Sequence, residues 1–153
     1  MGSSLVKAVF DTNILVDLLK GRVEANNEPG RYSALAISRI SWIEVLAGIR
    51  DTEDQNRVEN LLGFFEIIEL DEPGAREAIA LRQQHRLKLP DAIIWASAKL
   101  RDNLFVTRNW KDFRQGDSVH SAPGRRTRRT LCYHRPTGVL FLRIGGRLDA
   151  GSS

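Results

Sequence analysis

Apolar residues follow two alternating periodicities along the first part of the chain. Residues 5–10 form a short apolar run rich in strand formers, and this run ends at Asp11. The next apolar residues have the spacing of one helix face: Ile14, Leu15, Leu18 and Leu19. Gly21 then supplies the residue type that commonly ends a helix. The pattern predicts a strand, an acidic residue and a helix in direct succession.

The alternation continues to about residue 106. Further elements are expected in this order: a strand at 36–40, a helix capped by Ser41, a helix from about residue 54, a strand at 66–70, a helix at 74–86, a helix opened by Pro90 and Asp91, and a strand at 104–106. Strands that alternate with helices predict an α/β fold with a mostly parallel sheet.

The sequence changes character after Phe113. Glycine, serine and arginine dominate residues 115–135, which are expected to be loop or disordered. Residues 139–142 are apolar enough to form one more strand. We therefore divide the chain into a folded domain at residues 1–114 and an Arg-rich extension at residues 115–153, with one added strand near 139–143.

The positive charge belongs to this extension. The 153 residues carry a formal net charge of +4, but residues 114–153 alone contain eight arginines and two acidic residues. The first 113 residues contain 15 basic and 17 acidic residues, a net charge of −2. The overall charge is therefore a poor reason to assign nucleic-acid binding to the folded domain.

The sequence shows no sign of export or of membrane insertion. No apolar run approaches the roughly 20 residues that span a bilayer, and the first seven residues lack the pattern of a secretory signal. Cys132 is the only cysteine, which excludes an intrachain disulfide and fits a reducing compartment. We expect a cytoplasmic protein.

Three acidic residues lie where apolar elements begin or end. Asp11 follows the first strand, Glu44 lies within an apolar helix, and Asp91 stands at the head of another. In proteins with a parallel sheet, ligands bind in a crevice beyond the carboxyl ends of the strands. If the helices that carry Glu44 and Asp91 start from that edge, the three side chains converge there. Converging carboxylates repel one another unless they take up protons or share a cation. Oxygen-only ligands favour Mg²⁺ or Mn²⁺, because no His/Cys spacing typical of zinc is present.

Each acid also has a purely structural interpretation. Asp91 is a first-turn acid that the helix dipole favours, Glu44 completes a capping box with Ser41, and Asp11 is a candidate cap for the first helix. Taken one at a time, these interpretations compete with the functional one.

Four stretches together resemble the PIN-domain family, and within it the VapC-type toxins of bacterial toxin–antitoxin pairs. They occur in the family's order and spacing at residues 9–15 (VFDTNIL), 41–49 (SWIEVLAGI), 87–98 (LKLPDAIIWASA) and 104–113 (LFVTRNWKDF). The resemblance implies a three-layer α/β/α sandwich and a Mg²⁺- or Mn²⁺-dependent endoribonuclease.

The resemblance also implies roles for individual residues. Asp11, Glu44 and Asp91 match the family's most recurrent acids. The fourth acidic position is assigned to Asp112, with Asn109 as a polar helper, although Asn109 occupies a position where relatives have Asp or Asn. Polar residues that match positions bracing the acids are Thr12, Asn13 and Thr107.

Partners follow from the same resemblance. It implies a homodimer and a cognate antitoxin that covers the crevice, with operator DNA bound only through the antitoxin complex. Trp42, Ile43 and Leu46 could belong to an apolar surface for such partners. For Ile43 and Leu46, a place in the core is the favoured interpretation.

Two other functions stay open. Asp11 after a strand also fits a phosphotransferase that is phosphorylated there, although phosphatases of the haloacid-dehalogenase type place a second Asp where this chain has Asn13. A catalytically silent nucleic-acid-binding or regulatory module would use the arginines of residues 125–129 as its contact.

Overall fold

A computed structural model of the chain describes residues 7–101, 103–108, 130–134 and 140–144. Its strands are β1 Lys7–Phe10, β2 Ala34–Ser38, β3 Glu66–Ile68, β4 Leu104–Thr107, β5 Thr130–His134 and β6 Leu140–Ile144. Its helices are α1 Thr12–Leu19, α2 Val23–Asn26, α3 Arg39–Ala47, α4 Thr52–Leu62, α5 Glu72–His85 and α6 Leu89–Leu100, with a 3-10 turn at Pro29–Arg31. No helix within these residues has the length and apolar character needed to cross a membrane.

The strands form one six-stranded sheet in the order β3-β2-β1-β4-β6-β5. The first four are mutually parallel, and β1 lies between β2 and β4. Strand β6 adds to β4 in the antiparallel direction, and β5 pairs with β6. The prediction of a mostly parallel α/β sheet is confirmed.

Alternate residues of the strands face two separate helical layers. Val9, Ala36 and Phe105 pack with the apolar residues of α5 and α6 on one face. Phe10, Ile37 and their neighbours pack with α1 and α4 on the other. Burial on both faces is why these short strands read as nearly continuous apolar runs. The result is the three-layer α/β/α sandwich that the family resemblance implies.

The start of α3 differs from the sequence prediction. Ser38, not Ser41, is the N-cap, and its Oγ accepts a hydrogen bond from the backbone N–H of Ile40 at 3.3 Å. The capping box of Ser41 with Glu44 is therefore wrong, because both residues lie inside the helix. Ser41 is fully buried, and its Oγ lies 3.0 Å from the hydroxyl of Thr12 in α1.

The C-terminal part of the chain supplies two strands. Strand β6 covers Leu140–Ile144, close to the region where one added strand is expected. Strand β5, Thr130–His134, lies within the stretch expected to be loop or disordered, and that expectation is wrong for these five residues. Antiparallel pairing with β6 gives their backbone groups hydrogen-bond partners that the sequence pattern does not reveal.

Candidate active site

Asp11 stands at the carboxyl end of the central strand β1, where it also caps α1. Its Oδ1 accepts a hydrogen bond from the backbone N–H of Thr12 at 2.7 Å. Its Oδ2 accepts one from the hydroxyl of Thr107, the last residue of β4, also at 2.7 Å. Because β1 and β4 are parallel neighbours, their carboxyl ends bring residues 11 and 107 together across 96 positions of sequence.

Burial makes the charge of Asp11 costly. The residue is only 4% exposed, and desolvation raises its pKa from the ordinary 3.8 to about 6. The hydrogen bonds from Thr107 and Thr12 lower the pKa, whereas the negative charges of Asp91 and Glu44 raise it further. Asp11 is therefore a buried carboxyl whose ionisation other acids oppose, which is a recurrent property of functional sites.

Glu44 reaches the same region from the middle of α3. The Thr12 hydroxyl lies 3.0 Å from both Glu44 Oε1 and Ser41 Oγ. A hydroxyl has a single proton, so Thr12 donates to one of these oxygens at a time. Thr12 thus links the first turn of α1 to α3, and it holds the otherwise exposed Glu44 beside Asp11.

Asp91 comes from the opposite helical layer. It is half-buried in the first turn of α6, directly after Pro90. The helix dipole favours an acid at this position. The structural interpretation of Asp91 is therefore compatible with the functional one, because the same first turn opens toward Asp11.

One polar cavity of about 300 Å³ contains all three acids. Its lining residues are Asp11, Thr12, Asn13, Val16, Glu44, Asp91 and Arg108. The three carboxylates thus share one crevice at the carboxyl ends of parallel strands and are not spread over different faces of the molecule. Asp112, assigned to the fourth acidic position, and its polar helper Asn109 lie outside the described residues.

Asn13 contacts the backbone just after β4. Its Oδ1 accepts a hydrogen bond from the backbone N–H of Arg108 at 3.4 Å. The Arg108 guanidinium in turn forms a 3.1 Å salt bridge with Asp17, a nearly buried residue of α1. Sequence reasoning missed Asp17 and Arg108. The i, i+4 spacing of Asn13 and Asp17 places both on one face of α1, but it does not point to Arg108.

The oxygen atoms of the three acids are the type of ligand that a hard divalent cation prefers. Carboxylate oxygens are the ligands of Mg²⁺ and Mn²⁺, and Mg²⁺ in proteins is usually held by one or two carboxylates together with water. Among the described residues, no three His, Cys, Asp or Glu side chains are close enough to hold an ion by themselves. A cation shared by these acids would therefore contact some of the carboxylates directly and others through bound water.

The residues proposed for an apolar partner surface differ from one another in exposure. Trp42 and Leu46 are partly buried against the core that contains α1 and α4, and the guanidinium carbon of Arg39 lies 4.9 Å from the Trp42 ring centroid. Ile43 is 47% exposed, so its assignment to the core is wrong.

The fold and the acidic crevice define the class of protein, and comparison with known families gives the same result. The family model of the PIN domain matches residues 8–118. The chain therefore belongs to the PIN-domain family, whose VapC members are nucleases and generally use a divalent metal. No curated protein sequence gives a match.

Solved structures extend the comparison. The chain is 44% identical to a chain of a toxin–antitoxin complex from Klebsiella pneumoniae, with 71% of this chain and 91% of that chain covered at a TM-score of 0.66. It also matches VapBC2 from Rickettsia felis bound to a promoter DNA fragment, at 22% identity, 73% and 94% coverage and a TM-score of 0.64. DNA-bound VapBC from Salmonella typhimurium matches at 20% identity, 74% and 95% coverage and a TM-score of 0.63. The last two show the fold alone.

Proposed function

We propose that this protein is a Mg²⁺- or Mn²⁺-dependent endoribonuclease and the toxin of a toxin–antitoxin pair. The observation that carries the proposal is the single crevice shared by Asp11, Glu44 and Asp91, with Asp11 buried at its base. The PIN-domain family supports a nuclease, and the toxin–antitoxin neighbour supports the biological role. We also propose that it acts on RNA in the cytoplasm.

The chain's own residues have separate tasks in this proposal. Asp11, Glu44 and Asp91 supply the oxygens that hold the cation, with Asp112 as the proposed fourth carboxylate and Asn109 as its polar helper. A divalent cation held by these residues would supply charge neutralisation at the phosphate and a lowered pKa for the attacking water. Thr107 and the Thr12 backbone fix both oxygens of Asp11, so this carboxylate meets its ligand already oriented.

The partners belong to the same proposal. The neighbour from Klebsiella pneumoniae is part of a toxin–antitoxin complex, which supports a cognate antitoxin as the partner of this chain. We also propose a homodimer, and contact with operator DNA only through the antitoxin. Exposed apolar side chains such as Ile43 supply surface for these contacts.

The test of the nuclease is a cleavage assay on total cellular RNA with Mn²⁺ and with EDTA. Asp91→Asn should lower the rate by about a hundredfold or more, because cation binding contributes several kcal/mol to transition-state stabilisation. Asp54→Asn is the matched control, since Asp54 is an exposed residue of α4 outside the crevice. EDTA should abolish cleavage by the unmodified chain.

Two results would contradict the proposal. Full metal-dependent cleavage by a folded Asp91→Asn variant would remove the acids from the mechanism. An unmodified chain that binds RNA but never cleaves it would favour the silent binding module. Phosphorylation of Asp11 is not favoured by the structure, because both of its oxygens accept hydrogen bonds within a nearly fully buried position.

A further inference from the structure

Arg108 brings a positive charge to an otherwise acidic crevice. It follows β4 directly and lines the same cavity as Asp11, Glu44 and Asp91. Among the lining residues that the structure describes, Arg108 is the only cationic one. A phosphate that enters this crevice meets three carboxylates, so a cationic side chain at the wall lowers the repulsion that the substrate must overcome.

The position of Arg108 is fixed from two sides. Asp17, which is 6% exposed, forms salt bridges with Arg108 at 3.1 Å and with Arg22 at 3.3 Å. The side chain of Asn13 holds the backbone N–H of Arg108. Asp17 thus holds the guanidinium of Arg108 beside the cavity, and Asn13 holds its backbone.

The guanidinium has donors left for a second anion. An arginine presents five N–H donors in a planar fork, and the salt bridge to Asp17 is formed by Nη1. The side chain of Arg108 is 46% exposed, so it faces solvent as well as Asp17. Such a fork matches the oxygens of a phosphate better than the point charge of a lysine does.

We infer that Arg108 binds a backbone phosphate of the RNA strand and is a substrate-binding residue of this site, held in place by Asp17 and Asn13. The inference rests on the proposed nuclease function. In that proposal the scissile phosphate of the RNA lies at the carboxylates, and a nearby phosphate of the same RNA lies at Arg108 on the cavity wall. Arg22 shares Asp17 but does not line the cavity, so it serves as the matched control.

The test measures binding of a fluorescent single-stranded RNA in Ca²⁺ across a range of salt concentrations. Arg108→Gln should raise the Kd about tenfold, the loss expected for a charged hydrogen bond. The slope of log K against log salt should fall by about 0.7, the value for one phosphate contact on a single strand. Arg22→Gln should leave both quantities near those of the unmodified chain, and Arg108→Lys should restore the salt slope more than the Kd.

Cleavage kinetics and unfolding complete the experiment. In Mn²⁺, Arg108→Gln should raise KM more than it lowers kcat, while its thermal unfolding stays close to that of Arg22→Gln. Equal RNA affinity and salt slope in both variants would overturn the inference even if the unmodified chain cleaves RNA. If the unmodified chain binds RNA through Arg108 without cleaving it, the nuclease proposal fails while the binding role of Arg108 stands. Absence of RNA binding by the unmodified chain would overturn both.

Discussion

At the scale of single residues, Asp11 carries a cost in stability that a binding role explains. Its carboxyl group is buried, is opposed by two other acids and has a pKa raised to about 6. Two hydrogen bonds reduce this cost without removing it. Nothing in the packing of β1 requires a charge at this point, because the strand residues beside it are apolar and buried.

Asp11→Asn should therefore stabilise the metal-free protein above pH 6. The folded pKa lies above the unfolded value of 3.8, so ionisation of Asp11 removes stability as pH rises through about 6. The amide is isosteric and avoids this loss, and the gain in unfolding free energy at pH 7.5 should approach about 3 kcal/mol. Urea unfolding in EDTA measures it.

The same variant should show almost no gain at pH 4, where the carboxyl of the folded chain is protonated. Asp54→Asn is again the control and should show no gain in unfolding free energy at pH 7.5, because Asp54 is exposed and lies outside the crevice. A variant that is less stable than the unmodified chain at pH 7.5 would show that Asp11 contributes to stability as a charge.

At the scale of elements, the sequence predicts the presence of most helices and strands better than the residues at which they begin and end. The strand–acid–helix unit of residues 7–19 is confirmed, because its apolar residues change clearly from strand spacing to helix spacing at Asp11. The start of α3 is not confirmed: Ser41, with an acid three residues later, resembles an N-cap, whereas the structure has Ser38 as the cap. Ser41 is instead fully buried and contacts Thr12 of α1. A local sequence pattern does not encode such a tertiary contact.

The end of α1 gives a second test at this scale. Gly21 has φ +66° and follows the C-cap, a conformation that costs an L side chain about 1 kcal/mol. Gly21→Ala should lower the unfolding free energy by about that amount. Gly30→Ala should not lower it, because no atom lies within 4 Å of the added carbon and the backbone there is not left-handed. Equal losses in both variants would contradict this account.

At the scale of the whole molecule, the parallel sheet is what joins distant residues into one site. Strands β1 and β4 place Asp11 beside Thr107, and α3 and α6 add one acid from each helical layer. The meeting of the three acids could be predicted, because parallel strands end at one edge. The pairing of Asp17 with Arg108 could not, because it depends on how α1 lies against the end of β4.

The sheet also gives the C-terminal segment a structural role. Strand β6 pairs with β4 over four residue positions, so removing it leaves β4 as an unprotected edge. A chain that ends at residue 118 should lose about 2–4 kcal/mol of unfolding free energy, from a few lost ladder hydrogen bonds. Chemical denaturation of both lengths tests this. Equal stability would show that β5 and β6 add nothing to the fold.

The central claim is that carboxylates from three parts of the chain share one divalent cation. Calorimetric titration of the metal-free protein with Mn²⁺ tests it most directly. We expect binding to weaken at least about tenfold in each of Asp11→Asn, Glu44→Gln and Asp91→Asn, since each removes a charged oxygen ligand. Asp54→Asn should bind as the unmodified chain does. Mn²⁺ binding that is unaffected by all three substitutions would contradict the claim.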